Sequence, residues 1–155
     1  MTNTSEFDRA LEKEIAKLKR FNAQLLKDIT FYAFALIQNY WPVNTGWSRA
    51  NNWVLWDGDR YPPLRPVKRP SGLASTGSLG PLSNQHTAQM LAEIRGRRFT
   101  ENTQVEIASA VPYARDVGFS PGSGDRIYKA AGQEALAIAI NLARARRGGV
   151  LPGEL

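Results

Sequence analysis

The sequence predicts an α+β domain in which a small antiparallel sheet packs with two long helices, one N-terminal and one C-terminal, and carries a long Pro/Gly-rich loop. Apolar residues recur at three- and four-residue spacings near both ends of the chain, which indicates the helices. Two short segments, 50–57 and 103–110, have the aromatic or alternating apolar residues typical of strands. Proline, glycine and serine dominate 58–83. We expect a single domain over 1–149 and a flexible tail at 150–155.

The first helix begins near Ser5, a residue suited to cap a helix N-terminus. Its apolar face consists of Phe7, Leu11, Ile15, Leu18, Leu25 and Ile29. No proline or glycine precedes Pro42, so we expect one helix that ends near 39–41, with its early turns on the surface of the core. It would be about 50 Å long at 1.5 Å per residue, more than one small core requires, and a partner would account for the excess. A break near Gln24 is the alternative.

The two strands differ in character. The first contains Trp53 and Trp56, and all four tryptophans fall within 16 residues, where we interpret them as core and interface anchors rather than as a base-stacking platform. The second alternates around Val105 and Ile107, as a half-buried strand does. Between the strands, 84–97 is predicted to form a short helix, in which His86 is expected to be a surface or capping residue.

The segment 58–83 holds five of the nine prolines and has a net charge of +3, so it cannot form a packed element by itself. Unstructured connections of this length are uncommon inside compact domains. We interpret it as an arm that lies across a neighbouring subunit or a phosphate backbone. The spacing of Pro63 and Pro66 also fits an SH3 ligand, which we favour less. The cations of this segment that we expect to make the contacts are Arg60, Arg65, Lys68 and Arg69.

The last helix is predicted from six apolar residues and from the glycine pair Gly148-Gly149 that would end it. Its apolar residues are Ile127, Ala131, Ala135, Ile138, Ala139 and Leu142. Three arginines near its end, Arg144, Arg146 and Arg147, have two interpretations. They could contact nucleic acid, or they could complement the negative end of the helix dipole.

Charge and composition restrict the function. The chain has 20 Lys and Arg against 14 Asp and Glu, a net charge of +6 that suits an anionic partner but is spread along the sequence. It has no cysteine and one histidine, which excludes a disulfide framework, a thiolate nucleophile and a multi-histidine metal site. No arrangement of residues suggests a catalytic triad or a phosphate-binding loop. We expect no enzymatic activity, no cofactor and, without a long apolar run or a secretion signal, no membrane partner.

Two further motifs are PVNTGWSRA at 42–50, after the first helix, and VPYARDVG at 111–118, after the second strand. Together they resemble the neck and tail-completion proteins of long-tailed bacteriophages and prophages, with the pattern P-V-D-T-G-x-L-R-x-S followed by Y-A-x-x-V-E-x-G. This chain departs from the pattern at Asn44, Ser48 and Gly118. The motif positions to which we assign an architectural role are Pro42, Thr45, Gly46, Tyr113, Ala114 and Gly118.

The resemblance implies a structural protein of the virion, made in the host cytoplasm and located at the head-tail junction or tail end as a neck, tail-completion or tail-terminator protein. It implies a homo-oligomeric ring around the DNA channel, which needs a heterologous interface on each subunit. The implied partners are other head-tail junction and tail-tube proteins, with genomic DNA passing through the channel without sequence-specific contact. The charge suggests an alternative, a basic nucleic-acid-binding protein without sequence specificity.

Overall fold

A computed structural model of the chain describes residues 4–41, 49–57, 59, 80–109, 124–149 and 151. These residues form three α-helices and two strands, which confirms the α+β class. The elements are α1 (Thr4–Tyr40), a 3-10 turn (Arg49–Asn51), β1 (Asn52–Trp56), α2 (Gly80–Gly96), β2 (Val105–Ser109) and α3 (Gly124–Arg146).

The two strands form an antiparallel sheet, in which Asn52 faces Ser109 and Trp56 faces Val105. Both lie within the segments predicted from the sequence. β1 is buried at four of its five positions, so both of its faces are covered, whereas β2 is mostly half-buried. β1 is therefore the inner strand of the sheet and β2 the outer strand.

Two apolar clusters form the core where the helices meet the sheet. The first joins α1 to α3 through Ile37, Trp41, Ile127 and Ala131. The second joins α1, β1 and α2 and contains Phe34, Val54, Trp56, Ile94 and Phe99. Ile107 of β2 packs against both clusters, so the sheet and all three helices share one continuous interior.

α1 is a single continuous helix of 37 residues that ends at Tyr40, as predicted, and has no break near Gln24. Its two halves have different surroundings. From Phe21 onwards it packs on the rest of the fold, whereas every residue from 6 to 20 is exposed. The prediction that the early turns lie on the surface of the core is wrong for residues 6–18, which are all exposed, and contact with the rest of the described chain begins at Lys19, which pairs with Glu101.

α2 begins at Gly80, four residues before the predicted start at 84, and so includes the last four residues of the predicted 58–83 segment. The difference has a simple cause. Proline lacks an N–H group, but the N–H groups of a first helical turn have no partner within the helix, so Pro81 fits there without cost. The rest of 58–83, apart from Asp59, lies outside the described residues.

α3 ends where the glycine pair predicted it would. Gly148 and Gly149 have φ angles of +65° and +94°, in the left-handed region that favours glycine. The Gly149 N–H donates to the Arg144 carbonyl at 2.7 Å and closes the last turn. The predicted tail at 150–155 lies outside the described residues except for Leu151. In the part of the chain that the structure describes, no helix is long and apolar enough to span a bilayer.

Candidate functional site

The site residues predicted from the sequence all lie outside the described residues. They are Pro42, Thr45, Gly46, Tyr113, Ala114, Gly118, Arg60, Arg65, Lys68 and Arg69. Of the two motifs, the structure describes only Arg49 and Ala50, which form the 3-10 turn before β1. Ala50 is fully buried there, and burial lowers the pKa of Arg49. The described residues nevertheless form two surfaces, of which sequence reasoning found only the apolar stripe of the second.

The first surface is positively charged and surrounds the middle of α1. α2 and α3 both run antiparallel to α1, so their C-terminal ends reach it at the same level and bring their basic residues together. We call this surface the basic belt. It consists of Lys19, Arg20, Lys27, Arg95, Arg97, Arg98, Arg146 and Arg147.

On the α2 side, Lys27 fixes the geometry of the belt. Its Nζ donates to the carbonyls of Arg95 and Arg97 at 2.7 and 3.1 Å, and so caps the end of α2. The Arg95 guanidinium lies 4.5 Å from the centre of the Phe31 ring, and that of Arg97 lies 4.2 Å from the Trp56 ring. A guanidinium stacked in this way keeps N–H groups at its edge for a further acceptor.

On the α3 side, Asp28 holds Arg146 against α1. Its Oδ2 accepts from Arg146 at 2.5 Å and its Oδ1 accepts from Gln24 at 3.0 Å. The hydrogen bond to Asp28 raises the pKa of Arg146 above its ordinary value. The next residue, Arg147, stacks on Phe21 with its guanidinium 4.7 Å from the ring centre. Of the three arginines at the end of α3, Arg146 therefore already has an acidic partner.

The belt has more positive charge than its own carboxylates can neutralise. Each of its three acidic neighbours pairs with one cation: Asp28 with Arg146, Glu93 with Arg97 at 3.6 Å and Glu101 with Lys19 at 3.1 Å. Five belt cations have no carboxylate partner in the described part of the chain, and these are Arg20, Lys27, Arg95, Arg98 and Arg147.

Two clefts open within the belt, one on each side of Arg20. A cleft of about 330 Å³ lies between α1 and α3, with Phe21, Leu25 and Ala143 among its lining residues. Another of about 390 Å³ lies on the α2 side and contacts Ala23 and Phe99. Both therefore combine apolar side chains with cationic ones. This combination suits an anionic segment that also has an apolar side.

The second surface is the exposed N-terminal part of α1, residues 6–18, which we call the protruding helix. Its apolar side chains follow one face: Phe7 is 66% exposed, Leu11 47%, Ile15 42% and Leu18 48%. Such a stripe of large apolar residues on one exposed face is a mark of an interaction site. The sequence predicted the stripe but not that it would be uncovered.

A buried polar cluster joins α1, β1 and α2. The prediction that His86 is a surface or capping residue is wrong, because it is only 1% exposed and its Nε2 donates to the Asn52 carbonyl at 2.6 Å. Gln38 donates to the Arg49 carbonyl and to the Thr87 hydroxyl, and accepts from Asn52 at 2.7 Å. The helical period of α2 was the missed signal, since His86 lies on the same face as the buried Ile94.

The tryptophans are mainly structural, as we interpreted them. Trp41 and Trp56 are 2% and 5% exposed and belong to the core, and Trp53 packs edge-on against His86 with ring centres 4.5 Å apart. Trp47 lies outside the described residues. Among the residues that the structure describes, no group of three or more His, Cys, Asp or Glu could hold a metal ion.

Comparisons with protein-family models, with curated proteins and with solved structures found no match to this chain.

Proposed function

We propose that this protein is a non-enzymatic structural subunit of the head-tail junction of a tailed bacteriophage, as a neck, tail-completion or tail-terminator protein. It assembles with copies of itself into a ring around the DNA channel, in contact with other junction and tail-tube proteins. The motifs at 42–50 and 111–118 support the assignment to a tailed-phage particle. The observation that carries self-assembly is the protruding helix, whose apolar stripe no described part of the same chain covers.

The stripe supplies a modest driving force for assembly. Covering the exposed part of four such side chains contributes roughly 3–6 kcal/mol, before the cost of association is subtracted. One such contact is weak by itself. A closed ring makes each subunit bind at two interfaces, so modest contacts of this kind give a stable particle.

The basic belt supports a place next to DNA. Five cations without carboxylate partners attract phosphate groups, and contacts to phosphates carry no sequence information. DNA that must slide through a channel requires contacts of this kind, because tight or selective binding would hold it in place.

The experiment that tests the proposed function is to locate the chain in particles. We expect mass spectrometry of purified virions, from the phage or induced prophage that encodes this sequence, to find the chain in several copies. A gold label on its C-terminus should lie at the head-tail junction. Inactivation of the gene that encodes the chain should leave heads and tails that are not joined. Absence of the chain from purified particles would overturn the proposal.

The second candidate is a basic nucleic-acid-binding protein without sequence specificity, favoured by the stacked arginines of the belt. A titration of labelled duplex DNA at several salt concentrations distinguishes the two. As a junction subunit, the free protein should bind DNA weakly, lose that binding as salt rises and show no preference among sequences. Sub-micromolar binding that survives physiological salt would favour the second candidate.

A further inference from the structure

We infer that the protruding helix of one copy docks on the basic belt of a second copy, so that the chains associate head to tail. The inference deepens the proposed function, on which it rests for self-assembly, because it names the two surfaces through which a ring would close. Both surfaces belong to described residues: the protruding helix is the start of α1, and the belt surrounds the middle of α1.

The two surfaces have opposite charges. The protruding helix, residues 6–18, contains four carboxylates and three cations: Glu6, Asp8, Glu12 and Glu14 against Arg9, Lys13 and Lys17. Glu14 already pairs with Lys17 at 2.8 Å, which lowers the pKa of that carboxyl group. Glu6, Asp8 and Glu12 have no cationic partner among the described residues. These three carboxylates can pair with three of the five belt cations that have no carboxylate partner in the described part of the chain, which leaves two cations for phosphate groups.

The two surfaces also match in their apolar parts. The protruding helix presents a stripe that includes Phe7 and Leu11, and each of these is followed in sequence by a carboxylate, Asp8 or Glu12, about 100° further round the helix. The belt clefts place Phe21, Leu25 and Phe99 between cations. An apolar centre inside a charged rim is the usual composition of a specific protein interface. Opposite rims on the two sides set the orientation in which they dock.

A chain cannot satisfy this match by itself. Phe7 precedes Gln24, a residue that lines both clefts, by 17 residues in one uninterrupted helix, which is about 25 Å at 1.5 Å per residue. A continuous helix cannot fold back on its own middle. The protruding helix can therefore reach only the belt of another copy. Each copy has one of each surface, so the contact repeats in one direction unless two copies exchange their helices and close a dimer.

Charge reversal tests this inference. The first variant reverses the helix (E6K, D8K, E12K), and the second reverses the belt (R20E, R98E, R147E); all six side chains are exposed. Each variant alone has two surfaces of the same sign, so we expect its self-association to weaken at least about tenfold. In an equimolar mixture each variant complements the other, and association should return. Sedimentation velocity measures all three samples.

The matched control is a single chain with all six reversals. Its helix is basic and its belt acidic, so it should self-associate about as strongly as the parent, although it carries the most substitutions. Circular dichroism should show parental helix content in every variant. A six-fold variant that associates therefore excludes misfolding as the cause of the losses.

Several results would overturn the inference. One is a parent chain that stays monomeric at millimolar concentration. A second is a belt variant that associates like the parent, which would point instead to pairing between two protruding helices. A third is a belt variant that loses only DNA binding, which would assign the belt to nucleic acid. Failure of the mixture to associate, with the chain still found at the head-tail junction, would reject this interface and leave the proposed function standing.

Discussion

His86 is the side chain through which α2 holds the edge of β1. Its ring donates to the Asn52 carbonyl and packs against the ring of Trp53, while Thr87 beside it accepts from Gln38 of α1. Three elements therefore meet at adjacent residues of α2. Buried polar contacts of this kind are costly to break one partner at a time, because the remaining partner stays buried without its hydrogen bond.

We expect H86A to lower the free energy of unfolding by about 2–4 kcal/mol, from the lost hydrogen bond and the cavity left by the ring. Urea denaturation followed by circular dichroism measures the change. Q85A is the matched control, since Gln85 is exposed on the same helix, and should change stability by less than about 0.5 kcal/mol. Equal effects of the two substitutions would show that His86 has no special role in the fold.

Tyr128 makes the fold sensitive to alkali. Burial raises its pKa from 10.0 to about 12, and its ring packs edge-on against Trp41. Above pH 10 the unfolded chain loses this proton while the folded chain retains it, so stability that is complete below pH 10 is lost between pH 10 and about 12. We expect Y128F to lose less stability than the parent between pH 9 and about pH 11 in urea titrations. Parallel losses in the two proteins would contradict this assignment.

At the scale of elements, the two halves of α1 have different roles. Its second half supplies Ala33, Phe34 and Ile37 to the core, all buried. Its first half supplies no core residue. A helix that continues for about four turns beyond its own core adds no stability to the monomer, so its sequence serves another purpose.

Removal of residues 1–16 should therefore leave the fold intact and abolish self-association. We expect the Tm of the truncated chain to stay within a few degrees of the parent, measured at a concentration where both are monomeric. F34A, in the other half of the same helix, is the contrasting variant and should cost about 3–5 kcal/mol. A truncated chain that unfolds, or one that still forms oligomers, would show that the protruding helix has been assigned the wrong role.

The elements could be predicted from the sequence because their signals are local. The spacing of Phe7, Leu11 and Ile15 specifies a helix without any knowledge of what covers it, and the glycine pair after α3 marks its end. The basic belt could not be predicted in this way. Arg20, Arg98 and Arg147 are far apart in sequence, and they meet only because two helices run antiparallel to a third. No local pattern encodes that arrangement.

At the scale of the whole molecule, charge is separated along α1. The protruding helix has an excess of carboxylates, and the belt about 25 Å further along has five cations without carboxylate partners. The net charge of +6 conceals this separation. Contacts between exposed opposite charges are screened by salt, so assembly through these surfaces should weaken as ionic strength rises.

The measurement that tests self-assembly most directly is the mass of the purified protein by multi-angle light scattering, over a range of protein and salt concentrations, with negative-stain images of the same samples. We expect a mass that rises with protein concentration, stops at a fixed multiple of 17.2 kDa and corresponds to rings in the images. Added salt should return it toward a single chain. A mass of one chain under every condition, or one that grows without limit into filaments, would contradict a closed ring.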